Sequence, residues 1–90
     1  MLNVVFFMGE LGDIDEEKGD LRYVSVVGDF RNVKGVIQND LIPVVNWTKT
    51  SKGELFLLNK GSLVLIKGRL EIINQKCVVV CENLSYLGKK

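Results

Sequence analysis

Trp47 stands two residues before Lys49 near the end of an apolar run, Asp40-Leu41-Ile42-Pro43-Val44-Val45-Asn46-Trp47-Thr48-Lys49. A flat ring beside cations suits an unpaired nucleic-acid strand: the ring takes a stacked base, worth about 1–3 kcal/mol, and the cations hold phosphates. Arg31, Lys34, Lys49, Arg69 and Lys76 are the candidate phosphate ligands, and the arginines can also stack on bases. Singly, each of these cations reads equally well as a solvated surface charge; for Trp47 the alternative is a core tryptophan, and stacking is the favoured reading. As a set flanking aromatic residues they point to one grip. Binding through several phosphates weakens steeply with added salt.

Other chemistries find less support. The net charge of the 90 residues is +1, which alone argues against a strongly electrostatic binder. The distribution is uneven: Glu10, Asp13, Asp15, Glu16, Glu17 and Asp20 crowd an early stretch against Lys18 alone, and the basic residues follow from 31 to 76. A calcium loop of the EF-hand kind needs glycine at its sixth position and glutamate at its twelfth. Counted from Asp13 those positions hold Lys18 and Val24, so no metal is expected. With no histidine, and with its acids in one solvated loop, the chain offers no general acid–base pair. The expectation is a protein that is not an enzyme, with no cofactor and no small-molecule substrate. Cys77 and Cys81 lie four apart in an expected strand. They are then on one face but roughly 13 Å apart, beyond disulfide reach, and read as buried thiols.

A chain of this length with 47% hydrophobic residues fits one domain, 1–90, with one small core. The apolar opening lacks a basic leader and a small-residue cleavage site, and no apolar run approaches the ~20 residues of a membrane helix. A cytoplasmic address and no membrane partner follow by default.

The elements that must position these side chains are mostly strands. Alternation predicts strands at 2–8, 21–30 and 40–48, with Gly9 ending the first and the charged segment 10–20 as a loop. In the second, Val24 and Val26 share one face, and Tyr23, Ser25 and Val27 the other; Gly28 marks a bend. Asn32-Val33-Lys34-Gly35 has the chemistry of a turn. Pro43 lacks an N–H and places its part of the third strand at an edge or bulge. Ser51-Lys52-Gly53-Glu54 fits a capping box for a helix of about two turns, carrying Leu55, Phe56 and Leu58 and ending at Lys60 and Gly61. A central strand over 60–70 has Leu63, Leu65 and Leu70 alternating, with Gly68 as a bulge that bends it. A reversal at Asn74-Gln75 leads to a fifth strand at 76–81 and a tail at 82–87. Three strands, a helix and two strands give an all-β, five-stranded Greek-key barrel of the OB-fold, with its short helix between strands three and four.

Several stretches carry a resemblance: Asp40 to Lys49 as quoted, Lys60-Gly61-Ser62-Leu63-Val64 with Gly68-Arg69-Leu70, Val80-Cys81-Glu82-Asn83-Leu84, and the opening Asn3-Val4-Val5 with Met8-Gly9-Glu10-Leu11-Gly12. In order and spacing the chain is similar to the bacterial single-stranded DNA-binding protein family over nearly its whole length. The resemblance implies that Trp47 matches a base-stacking aromatic and that Phe30 lies near a second. Leu41 stands where another aromatic is often found and offers no π face. The acidic first loop and the Asn74-Gln75 turn are shorter than in the family, and the sequence stops at Lys89-Lys90 without the long, acidic-tipped tail that recruits partners. A short paralogue, or a phage-type or reduced-genome version, fits these departures.

The implied function is sequence-independent binding of single-stranded DNA in replication, repair or recombination, through Trp47, Phe30, Arg31, Lys34, Lys49, Arg69 and Lys76. The alternatives are a primosome-type assembly module that binds protein, and a single-stranded RNA binder. Val4, Val5, Phe6 and Phe7 with the outward valines exceed what one small barrel covers, so a homo-oligomer is expected, and the resemblance implies a tetramer before a dimer.

Overall fold

The structure, a computed structural model, describes residues 3–31 and 37–89, apart from the side chains at 27–31 and 37–40. Its elements are β1 (Val5–Ile14), β2 (Leu21–Arg31), β3 (Ile37–Asn46), α1 (Glu54–Leu57), β4 (Ser62–Ile73) and β5 (Lys76–Lys89). The strands close into a barrel in the order β1-β2-β3-β5-β4. All neighbours are antiparallel except β3 and β5, whose short parallel ladder from Val44↔Val79 to Asn46↔Cys81 closes the ring. The expected turn at Asn32–Gly35 lies outside the described residues.

Every strand and the helix send a side chain inward. Leu11, Val24, Val44, Leu55, Val64, Ile66, Val79 and Cys81 form the core. A fully buried aliphatic side chain contributes roughly 1.5–3 kcal/mol, so this cluster is the main stabiliser of the barrel. A second cluster, Val45, Val78 and Val80 with Leu21 and Ile73 packed on it, lies on the opposite face of β3 and β5. There β5 is buried on both sides.

Several expectations need correction. Gly9 does not end the first strand, which runs on to Ile14 through half of the expected loop. Residues Val5 to Glu10 pair with β4, and from Glu10 onward the strand pairs with β2. Gly9 sits at that handover, where an added Cβ would lie 2.6 Å from Val24 Cγ1 and 2.8 Å from the Ser25 carbonyl oxygen. The glycine permits a close crossing; it is not a stop.

The helix is a single turn. Gly53 is its N-cap, no side chain caps it, and Leu58 is already extended. Its C-terminal end is satisfied by Arg22, not by Lys60 and Gly61. Arg22 is buried, and its Nη1 donates to the carbonyls of Leu55 at 2.9 Å and Leu58 at 2.7 Å while Nε donates to Gly12 at 3.0 Å. One guanidinium thus ties β1, β2 and α1 together.

In β4 the inward face is Ser62, Val64, Ile66 and Gly68; the alternating leucines are not the inward set, since Leu63 and Leu65 are only half-buried and Leu70 is exposed. Both alternating sets are apolar, so the pattern gave no polar contrast to choose by. Gly68 does mark a bulge: Lys67 pairs with Asn83 and Gly68 with Cys81, leaving Glu82 extra on β5. A Cβ at Gly68 would fall on the Val80 carbonyl. The segment after Cys81 is strand, not tail. Cys81 is buried but Cys77 is exposed, because the β4–β5 hairpin overshoots the barrel end. Pro43 lies where β3 pairs with β2 alone, before the parallel ladder begins at Val44. Its missing N–H costs no ladder bond on the β5 side.

Candidate nucleic-acid interface

Trp47 follows the last residue of β3. Its backbone N–H donates to the Cys81 carbonyl at 3.1 Å and to Asn46 Oδ1 at 3.0 Å, which fixes where the ring leaves the barrel. The side chain is 62% exposed. It borders a shallow groove with Glu82 and Asn83. Two residues on, Lys49 has a left-handed backbone, φ 57°, and its N–H closes a turn on the Asn46 carbonyl at 2.8 Å. That conformation is strained for a lysine, and it turns the chain back over β4.

Lys49 Nζ lies 3.2 Å from Glu71 Oε1. Arg69 reaches the other oxygen of the same carboxylate at 3.4 Å, and Glu82 at 3.7 Å. Hydrogen bonding and charge from Lys49, then Arg69, hold the Glu71 carboxyl below its ordinary range. The structure therefore brings Trp47, Lys49 and Arg69 to one end of the barrel, threaded by two carboxylates.

Lys76 stands at the start of β5, after the Asn74–Gln75 hairpin, whose two residues have φ of 51° and 67°. It joins Lys49 through a cleft of about 380 Å³ between that hairpin and the 15–20 loop. The floor is Leu21, Val45, Ile73 and Val78, and the rim carries Lys18, Lys49 and Lys76 with Asp20 and Asn74. Lys18 is a cation that sequence reasoning passed over as the odd member of an acidic stretch. Its place is set by Asp15, whose Oδ1 accepts the backbone N–H groups of Lys18 and Glu17 at 2.9 Å each. Tyr23 donates its hydroxyl to Asp15 Oδ2 at 2.8 Å. These bonds, that of Lys18 foremost, hold the Asp15 carboxyl below its usual value, and the bond to Asp15 raises the Tyr23 phenol. An aspartate capping its own loop is the one sequence signal that could have found the lysine.

Lys34 and the side chains of Phe30 and Arg31 lie outside the described residues. The backbone register still places Arg31, opposite Ile37, at the far end of the β2–β3 ladder from Leu21↔Val45. At ~3.3 Å per residue those ends are roughly 30 Å apart. Leu41 is exposed on the same two strands. Cys81 is no nucleophile: burial first, and Glu82 second, push its thiol up to about 11. No cluster of side chains among the described residues could hold a metal ion, and none of their helices is long and apolar enough to cross a membrane.

A closed five-stranded barrel, antiparallel but for the β3–β5 closure, with its helix between β3 and β4 and a cleft between the first-loop and last-hairpin ends, is an OB-fold. The mitochondrial single-stranded DNA-binding protein Rim1 of S. cerevisiae superposes with a TM-score of 0.63 at 14% identity, covering 97% of this chain and 96% of that one. The N-terminal domain of PriB from Thermoanaerobacter tencongensis gives 0.48 at 16% identity, covering 97% and 98%. No family model matches the sequence. It is 32% identical over 82 residues to single-stranded DNA-binding protein B of Bacillus subtilis (strain 168), covering 79% of this chain and 69% of that protein. The chain belongs to the bacterial single-stranded DNA-binding protein family.

Proposed function

We propose that the protein binds single-stranded DNA without reading its sequence and without catalysis, in replication, repair or recombination. The observation that carries this reading is the exposed Trp47 indole beside Lys49 and Arg69, on a chain of this family. A base stacks on the indole and its flanking phosphates meet Lys49 and Arg69; the lysine-rimmed cleft continues the track past Lys76 and Lys18. Phe30, Arg31 and Lys34 complete the proposed set of DNA contacts. Titration with oligo(dT) quenches Trp47 emission, duplex of equal length does little, and high salt reverses the effect. The reading fails if saturating oligo(dT) leaves the emission unchanged while Trp47→Ala binds as well as the parent. Competition by poly(U) tests DNA against RNA.

The protein works as a homo-oligomer, a tetramer before a dimer, in the cytoplasm. Val4, Phe6 and Met8 alternate on the outer face of β1, all exposed, whereas Val5 and Phe7 pack on the core. Met8 pairs with half-buried Leu65 and Phe6 with Lys67, so the apolar face continues onto β4. Along residues 5–9 β1 pairs with β4 alone among the described residues, which leaves a strand edge beside this face. Sedimentation at micromolar concentration distinguishes tetramer, dimer and monomer.

A further inference from the structure

We infer that Glu71 is a resident counterion that a DNA phosphate must displace, so that this carboxylate sets the affinity and the salt response of the Trp47 end of the site. The inference rests on the single-strand reading above. Glu71 spends both oxygens on two cations at the Trp47 end of the barrel, Lys49 at 3.2 Å and Arg69 at 3.4 Å, and Arg69 has Glu82 at 3.7 Å besides. All four side chains stay in contact with solvent. They need no rearrangement of the barrel to exchange partners. The carboxylate is also held ionised by these neighbours, so it competes with phosphate throughout the neutral range.

A phosphate that arrives here gains two cations only as Glu71 gives them up. Salt acts on the two halves of that exchange in opposite directions. It weakens phosphate binding by counterion release, and it weakens the internal pairs that binding has to break. The parent protein should therefore show a shallower fall of affinity with salt than its count of cations implies. Glu71→Gln removes the competing charge and keeps the shape.

The test measures oligo(dT) affinity from 20 mM to 500 mM salt by anisotropy, for the parent, Glu71→Gln, Lys49→Met/Arg69→Met, and the triple variant. Thermal melting confirms that each is folded. Glu71→Gln is expected to bind about three- to tenfold more tightly at low salt, to have a slope of log K on log salt steeper by about 0.7, and to converge on the parent at high salt. In the background lacking Lys49 and Arg69 the same substitution should gain less than about twofold. An equal gain in that background would mean a general field effect and overturn the inference. So would no gain in a parent that binds. If the parent does not bind oligo(dT) at all, the single-strand reading falls first and this inference with it.

Discussion

Two of the exposed aromatic-bearing surfaces among the described residues are built for different neighbours. On the outer face of β1, Val4, Phe6 and Met8 form an apolar stripe, with Phe6 64% exposed. Lys67 faces Phe6 across the ladder, and Glu10 follows two residues after Met8, where the described β1–β4 register ends. At the end of β3, Trp47 is as exposed as Phe6, but it sits among Lys49, Arg69, Glu71 and Glu82. Exposure alone would assign both rings to one task. The charges separate them: an apolar stripe along a strand with a free edge suits another copy of a protein, whereas a ring amid displaceable ion pairs suits a partner that brings its own charge.

The largest effect should come from breaking the first surface. Phe6→Asp with Met8→Asp places carboxylates in the proposed contact on every copy. At roughly 1.5–3 kcal/mol per buried side chain, association of two copies should weaken on the order of 10⁴-fold. Sedimentation should show the protomer at micromolar concentration, and the monomer should still quench its Trp47 emission with oligo(dT). Loss of quenching along with assembly would mean that the two surfaces are one site.

The contrast between these surfaces was only half legible in the chain. Trp47 was legible from its match to the family's stacking aromatic and from the lysine two residues on, and its ring is exposed. Pro43, Gly68 and Asn74-Gln75 were legible because each carries its own local chemistry: a missing donor, a missing Cβ, and a turn that tolerates positive φ. What was not legible depends on partners far away in sequence. Gly9 reads equally as a stop or as a crossing until Val24 and Ser25 are placed against it. Arg22 looks like a surface arginine until the carbonyls of Leu55 and Leu58 are brought to it. Apolar residues on both alternations of β4 hid which face was inward. The polar residues from Glu82 onward hid the length of β5, since a strand exposed on one face and barely covered on the other carries little hydrophobic signal.

A second effect, smaller than loss of assembly, sharpens the comparison from the other side. Trp47→Ala removes a stacking platform and should weaken oligo(dT) binding by about 1–3 kcal/mol, or about 5- to 150-fold. The sedimentation profile should not change. A shift in oligomeric state would place the indole in a subunit contact. Smaller again is the response of single lysines. Lys76→Ala should make the slope of log K on log salt shallower by about 0.7, the contribution of one phosphate on a single strand. Lys67→Ala, on the apolar face, should leave the slope unchanged. Equal slopes for the two variants would erase the distinction between the surfaces.

The smallest effect concerns the loop that presents Lys18. Asp15 accepts two backbone N–H groups and the Tyr23 hydroxyl, and its carboxyl is lowered in the folded protein by those bonds. A group whose folded pKa lies below its unfolded one contributes stability that is complete above the unfolded value and fades as pH falls through the folded one. Tyr23 is the mirror case. Its phenol is raised by the same carboxylate, so its contribution is complete below the ordinary phenol value and fades as pH rises through the folded one. The Asp15–Tyr23 bond is therefore expected to weaken at both extremes and to hold steady between. Thermal melting of the parent against Tyr23→Phe should differ by a constant, small amount over the neutral range and converge in strong acid and strong alkali. Hydrogen exchange should place the acid loss at the Lys18 and Glu17 amides, on the lysine-rimmed side, with the amides of β1 from Val5 to Met8 unaffected. Loss of protection at both places together would show that acid opens the barrel as a whole, and that the loop is no more independent than the strands it joins.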